Sequence, residues 1–189
     1  MKTMSAREAK NAFGLMIDTA RAEPVCIEKH GRGVVVVVSV EEYERLLGPR
    51  TRLVSLVHVS NSLGTINPVR RVIEMAHSRG VPVLVDGAQS TPHMNVDVRE
   101  LDCDFLVFSG HKVYGPTGIG VLYGKAELLN GMSPWLGGGG MIREVTREGF
   151  APAEIPDKFG GGTPPIAEAR GLHVALDRLE GVGWEHVRA

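Results

Sequence analysis

Two residues at the ends of apolar segments carry most of the chemistry in this sequence. Asp86 closes the run VPVLVD (81–86) and is followed by Gly87-Ala88-Gln89. Lys112 follows FLVFS (105–109) through Gly110 and His111. In α/β sheets, ligands gather beyond the carboxyl ends of strands, so both residues are expected at one rim. A lysine set between an apolar strand and glycine-rich backbone is partly desolvated, which suits its amine to nucleophilic, Schiff-base chemistry. An amine that condenses with an aldehyde and an acid that faces a pyridinium nitrogen are the two groups a pyridoxal phosphate site demands. Ser109 and His111 add a hydroxyl and an imidazole for a phosphate. Each residue also has a plain structural role open to it. Asp86 can cap the turn that follows, and Lys112 can snorkel to the surface.

The elements that must position these groups read as α/β from Pro49 onward. Arg52 to Val59 is an apolar strand, Asn61 to Asn67 a loop, and Pro68 to Ser78 an amphipathic helix with Val69, Val72, Ile73 and Ala76 on one face. Val81 to Asp86, Phe105 to Ser109 and Gly120 to Tyr123 are three further short strands, and Pro165 to Leu179 is a helix. Short apolar strands separated by helices or long connections predict a parallel or mixed sheet covered on both faces. Glycine, 24 of 189 residues, clusters in GPTGIG (115–120), GGGG (137–140) and GGG (160–162). Such runs weaken helix and strand alike and mark loops.

Residues 1–48 follow a different grammar. Ser5 and Glu8 form a capping box ahead of Ala6, Ala9, Phe13, Met16, Ile17 and Ala20 at helical spacing. Ala22-Glu23-Pro24 stops that helix. Val25 to Lys29 and Val34 to Val38 flank the turn His30-Gly31-Arg32-Gly33 and predict a hairpin. Ser39 caps a short last helix, with Glu41 and Glu42 in its first turn. The order is α-β-β-α, too small to bury a good core alone. The valine run needs cover from the rest of the chain or from a second copy, and a dimer is expected.

Length allows one domain or a small one plus a medium one. The formal charge of −1, with 43% hydrophobic and 23% charged residues, describes an ordinary globular chain and excludes wholesale disorder. It gives no general case for nucleic-acid binding, which must rest on a local patch. No apolar run reaches about 18 residues, so no membrane partner is expected. The start MKTMSAREAK lacks the apolar core of a secretory signal. Two distant cysteines, Cys26 and Cys103, argue against a disulfide framework, and a cytoplasmic location is expected. GPTGIG lacks the Gly-Lys-Ser/Thr of a phosphate loop and precedes a strand. The histidines show no metal spacing, so no metal site is expected. No nucleophile elbow G-x-S-x-G is present.

The blocks HVSNSLGT (58–65), VLVDGAQS (83–90), LDCDFLVFSGHKVYGPTGIGVLYG (101–124), PWLGGGGMI (134–142) and FGGGTP (159–164) resemble consecutive blocks of SufS-type cysteine desulfurases. These are class V aminotransferases with the PLP fold-type-I architecture, and the resemblance covers roughly 50–189. It implies a partial fold-type-I large domain, a pyridoxal phosphate cofactor and L-cysteine or a related amino acid as substrate. It assigns Lys112 to the Schiff base, Asp86 to the pyridinium nitrogen, Gln89 to the ring hydroxyl, and Ser109 and His111 to the phosphate. Asn61 would face the substrate carboxylate. Gly162 and Thr163 would reach the phosphate of the other subunit, which implies a homodimer. Cys103 matches a structural position of the LDCDF block. The family's phosphate-binding turn, sulfur-accepting cysteine and carboxylate-gripping arginine lie in regions with no counterpart here, so the expectation is the cofactor half of the site without the persulfide half.

Residues 1–47 resemble the N-terminal domain of Phd/YefM antitoxins, which dimerises and binds operator DNA. That resemblance implies Lys10, Lys29, Arg7 and Arg32 as DNA contacts. The chain then reads as a fusion joined near Leu47 to Thr51. Operator binding without enzymatic activity, or a fragment with no function, are the competing expectations.

Overall fold

The first helix, α1 (Ala6–Asn11), starts at the expected capping box: Ser5 Oγ accepts the Glu8 N–H at 3.2 Å, and Glu8 Oε2 accepts the Ser5 N–H at 2.8 Å. The single helix expected here is two. Ala12 leaves helical backbone (φ −118°, ψ 46°) and α2 (Phe13–Ala22) begins after it. Asn11 and Gly14 flank the break, and both are weak helix formers. A second correction is a strand ahead of α1. β1 (Lys2–Ser5) pairs in parallel with β2 (Val25–Lys29), from Lys2 opposite Val25 to Ser5 opposite Glu28. Four mostly exposed residues are too few to show an alternation, so the strand left no sequence signal.

The computed structural model describes residues 1–187, and the chain divides into two compact units, Met1–Val83 and the part from Leu84 onward. In the first unit β3 (Arg32–Val37) returns antiparallel to β2 through His30 and Gly31, both at positive φ (55° and 73°). That conformation matches the twist of the flanking strands. A bulge at Ile27/Glu28 makes Val35 oppose Ile27 while Gly33 opposes Glu28. Val34 is therefore the extra residue, and Val34 and Val36 stay exposed while Val35 and Val37 pack inward. Ser39 caps α3 (Val40–Leu46) by accepting the Glu42 N–H. The core is Ala9, Met16, Ala20, Val25 and Ile27.

Leu63, from the loop after β4 (Val54–Val57), packs on that same core. β4 is shorter than the expected Arg52 to Val59. The Val54 N–H donates to the Pro82 carbonyl at 3.0 Å. α4 (Val69–His77) buries Val69, Val72, Ile73 and Ala76, the face expected from spacing.

The second unit holds a mixed sheet. β5 (Val83–Asp86) and β6 (Phe105–Ser109) are parallel, and β7 (Gly120–Gly124) is antiparallel to β6. β5 starts after Pro82, which has no N–H for a ladder. A turn of 3-10 helix, Gly110–Val113, follows β6 directly. Val113 is fully buried against Leu172 and Leu179 of α7 (Ile166–Val182). Elements not expected from the sequence are α5 (Val98–Leu101), α6 (Ala126–Gly131) and the hairpin of β8 (Ile142–Val145) with β9 (Phe150–Pro152). All are short, and β8 is exposed along its whole length, so neither periodicity nor apolar content announces them.

Candidate active site

β5 and β6 run in register from Leu84 opposite Phe105 to Asp86 opposite Val107, so Asp86 and the 109–112 turn leave the sheet at the same rim. The Gly87 N–H continues the ladder to the Val107 carbonyl at 2.8 Å. Asp86 does cap its own turn, Oδ1 accepting the Ala88 N–H at 2.9 Å. A carboxylate has further acceptor positions, so this bond and a role at the rim are compatible. Gln89 stands half-buried within a tight turn. Its neighbours fix the backbone: Thr91 Oγ1 and Ser90 Oγ both donate to the Gly87 carbonyl, at 2.7 and 3.3 Å, and Ser90 is fully buried.

Ser109 is the last residue of β6 and opposes Gly120 of β7. His111 is exposed and Lys112 half-buried on the 3-10 turn. That turn is closed by backbone: Gly110 N–H donates to Ile119 O at 2.8 Å and Gly115 N–H to Gly110 O at 3.0 Å. Tyr114 ends it in the left-handed region at φ 62°. Glycine is required where the chain is tightest. A Cβ on Gly110 would lie 2.8 Å from Ile119 Cγ2, and one on Gly115 would lie 2.9 Å from Gly110 O. The Lys112 amine is thus carried on a short turn with a buried end, next to the strand that bears Asp86.

The other expected site residues sit in different places. Asn61, in the first unit, is exposed in the loop after β4, and its Oδ1 accepts the Ser62 hydroxyl at 3.2 Å. Gly162 (φ 97°) and Thr163 are exposed between a 3-10 turn at Asp157–Phe159 and α7. Arg7 and Lys10 are exposed on α1, and Lys29 faces Arg32 across the β2–β3 hairpin. Sequence reasoning gave His58 no specific role. It is buried at the end of β4, and its Nδ1 has no hydrogen-bond partner among the described residues. Burial pushes its imidazole below the usual histidine value. No trio of His, Cys, Asp or Glu among the described residues could hold a metal ion. No helix among them is long and apolar enough to cross a membrane.

A family model described as Aminotransferase class-V matches residues 16–189. The chain belongs to the class-V aminotransferase family. A cysteine desulfurase of Synechococcus elongatus is 50% identical over 170 residues, which are 90% of this chain and 26% of that protein. The crystal structure of the cysteine desulfurase CsdA from Escherichia coli, in an S-sulfonic acid form, superposes with a TM-score of 0.76 at 41% identity, over 97% of this chain and 46% of that one. A C-DES mutant solved with glycine covalently linked to the PLP cofactor superposes with a TM-score of 0.66 at 32% identity, over 75% of this chain and 38% of that one. The chain therefore spans between about a quarter and a half of the class-V proteins it matches. Its α/β architecture is a part of the PLP fold-type-I large domain. The residues at the rim fit that cofactor. They supply one amine, one carboxylate, a hydroxyl and an imidazole at adjoining strand ends, the group types that a pyridoxal phosphate site uses.

Proposed function

We propose that this chain carries the cofactor-binding half of a pyridoxal phosphate-dependent cysteine desulfurase. The family reaction converts L-cysteine to L-alanine and leaves the sulfur as an enzyme persulfide. The observation that supports this most is the parallel register of β5 and β6, which sends Asp86 and the Lys112 turn out of one rim. The Lys112 amine holds the cofactor and moves a proton at the substrate Cα. Asp86 keeps the ring nitrogen protonated, and Gln89 hydrogen-bonds the ring hydroxyl. Ser109 and His111 bind the phosphate. Asn61 takes the substrate carboxylate, and Gly162 and Thr163 reach the phosphate of a second copy. When bound, the cofactor supplies an electron sink for bonds to the substrate Cα. Cys103 is not the sulfur acceptor, because it is fully buried and its thiol is pushed up to about 11.

Borohydride reduction of the chain mixed with pyridoxal phosphate, followed by peptide mass spectrometry, tests this reading. A pyridoxyl group on Lys112 that is lost in Lys112→Ala is expected. An unselective or absent adduct would sink the proposal.

A second reading concerns the front segment: operator DNA binding by a homodimer. Ser5 opposes Glu28, so α1 starts at the sheet end where Lys29 and Arg32 face each other. Arg7 and Lys10 follow on α1, and all four are exposed. Val34 and Val36, 48% and 51% exposed, are apolar surface that a second copy would cover. Affinity for a DNA duplex should fall with salt, and Lys10→Ala/Lys29→Ala should reduce the slope of log K against log salt by about 2. Binding unchanged by the double substitution would remove this reading.

A further inference from the structure

The two glycine runs lie against each other, backbone to backbone. A Cβ on Gly138 would meet Gly162 N at 2.8 Å and Gly161 C at 3.0 Å. A Cβ on Gly161 would meet Leu136 O at 3.1 Å. The Gly162 N–H donates to the Gly139 carbonyl at 2.9 Å, closing the contact with a hydrogen bond. Side chains at 138 or 161 would hold the two backbones apart, because the atoms they meet are peptide groups that cannot rotate away. Gly139 is different. A Cβ there meets nothing within 4 Å, and its φ lies outside the left-handed region.

The segment on the far side of this contact is held at a second point. Lys158 is buried, and its Nζ donates to the Asn130 carbonyl in the last turn of α6 at 3.1 Å. The charge on Lys158 lies 5.1 Å from the centre of the Phe159 ring. Gly160 N–H donates to Asp157 O at 2.8 Å. From Asp157 to Gly162 the chain is thus tied by one side-chain anchor and one backbone clasp, while Gly162 and Thr163 beyond them are exposed. An exposed pair on a tied base keeps one orientation without the cost of ordering it on binding.

We propose that Gly138 and Gly161 are positioning residues whose backbone clasp fixes how Gly162 and Thr163 are presented to a cofactor phosphate. The proposal rests on the reading of Gly162 and Thr163 as phosphate contacts. The clasp itself is separable from that reading, because it is also visible in the amide of Gly162. Fixing Thr163 in one orientation favours a ligand that carries the phosphate dianion over the same ring without it. Pyridoxal and pyridoxal phosphate share every group except that one.

The experiment uses the full chain and its Gly138→Ala, Gly161→Ala, Gly139→Ala and Thr163→Ala variants. Gly161→Ala, with its nearest contact at 3.1 Å, applies a smaller push than Gly138→Ala and serves if that variant does not fold. Two quantities are read: hydrogen exchange at the Gly162 amide, and the ratio of dissociation constants for pyridoxal and pyridoxal phosphate at Lys112. Protection at Gly162 should be lost in the 138 and 161 variants and kept in Gly139→Ala. The preference for the phosphate should fall about tenfold or more in the 138, 161 and Thr163 variants, the worth of one hydrogen bond to a charged group. Retained protection in Gly138→Ala and Gly161→Ala overturns the clasp. Lost protection with an unchanged ratio overturns its role in presenting the phosphate site. A wild-type chain that binds both compounds equally well removes the reading of Gly162 and Thr163 as phosphate contacts, and with it that role. A wild-type chain that binds neither compound refutes the cofactor reading, and the exchange result at Gly162 then decides the clasp alone.

Discussion

The Gly110 N–H donates to the Ile119 carbonyl at 2.8 Å, and a Cβ on Gly110 would stand 2.8 Å from Ile119 Cγ2 and 3.0 Å from that same oxygen. The end of β6 and the start of β7 are therefore joined at a point with no room for a side chain. His111 and Lys112 leave from that point. Gly110→Ala must displace the turn or the Ile119 backbone, at a cost of about 1–3 kcal/mol. The expected outcome is a lower melting temperature and a smaller yield of reduced pyridoxyl adduct at Lys112. Gly131→Ala serves as the contrast. It ends α6 with nothing within 4 Å of its Cβ, and should be neutral or slightly stabilising. Equal losses in both variants would show that the Gly110 contact is not what holds the turn.

The sequence made the rim legible and left its supports hidden. Asp86 and Ser109 end apolar strands and Lys112 follows one, and strands of that kind are read from β-branched and aromatic runs. The β6 bounds match the expected Phe105 to Ser109. What stayed hidden depends on contacts distant in sequence. Gly138 and Gly161 lie 23 positions apart, and nothing local to either run says that the two touch. β1 was missed because its pairing with β2 is parallel and long-range. For His58 the sequence left a solvated and a core role open, and burial, which spacing does not report, settles it as core.

Lys125 closes the opposite end of β6. Its Nζ lies 2.7 Å from Asp102 Oδ1 and 3.2 Å from Asp104 Oδ1, and Asp104 is buried. Although burial opposes its charge, hydrogen bonds to Asp102 and Asp104 hold the Lys125 amine above its ordinary range. Lys125→Met leaves the buried Asp104 carboxylate without this cation. Breaking such a pair costs more than the pair is worth, because the remaining charge stays desolvated. A loss of about 1–3 kcal/mol in a denaturant melt is expected, the lower part of the range for buried pairs because Asp102 is largely solvated. A melt within experimental error of the wild type would mean that water or another group satisfies Asp104.

His58 gives the stability a pH dependence with a defined sign. Burial lowers its proton affinity in the folded chain, while the unfolded chain protonates it at the ordinary histidine value near 6.5. At high pH neither state holds the proton, and His58 contributes no slope. As pH falls through about 6.5 the unfolded state gains a proton that the folded state refuses, so folding stability declines. The slope from this residue is greatest between the folded and unfolded values and vanishes in His58→Gln. Denaturant melts of both proteins from pH 8 to pH 5 would check this. An unchanged slope in the variant would show that another group carries the acid sensitivity.

The two cysteines should differ sharply toward thiol reagents. Cys103 is fully buried, and desolvation is the main reason that its thiol is pushed up to about 11. The Asp104 and Asp102 charges push the same way and outweigh any help from Lys125. At pH 8 only about one Cys103 side chain in a thousand would be thiolate, and that one is shielded from solvent. Cys26 is only half-buried, on β2. Native protein should therefore titrate one thiol quickly and a second only after denaturation. Cys103→Ala should leave the fast phase intact, and Cys26→Ser should remove it. Incubation with pyridoxal phosphate and L-cysteine should likewise leave no sulfane sulfur on Cys103. A fast native phase that survives in Cys26→Ser, or a persulfide mapped to Cys103, would mean that the segment around residue 103 opens far more readily than its burial implies.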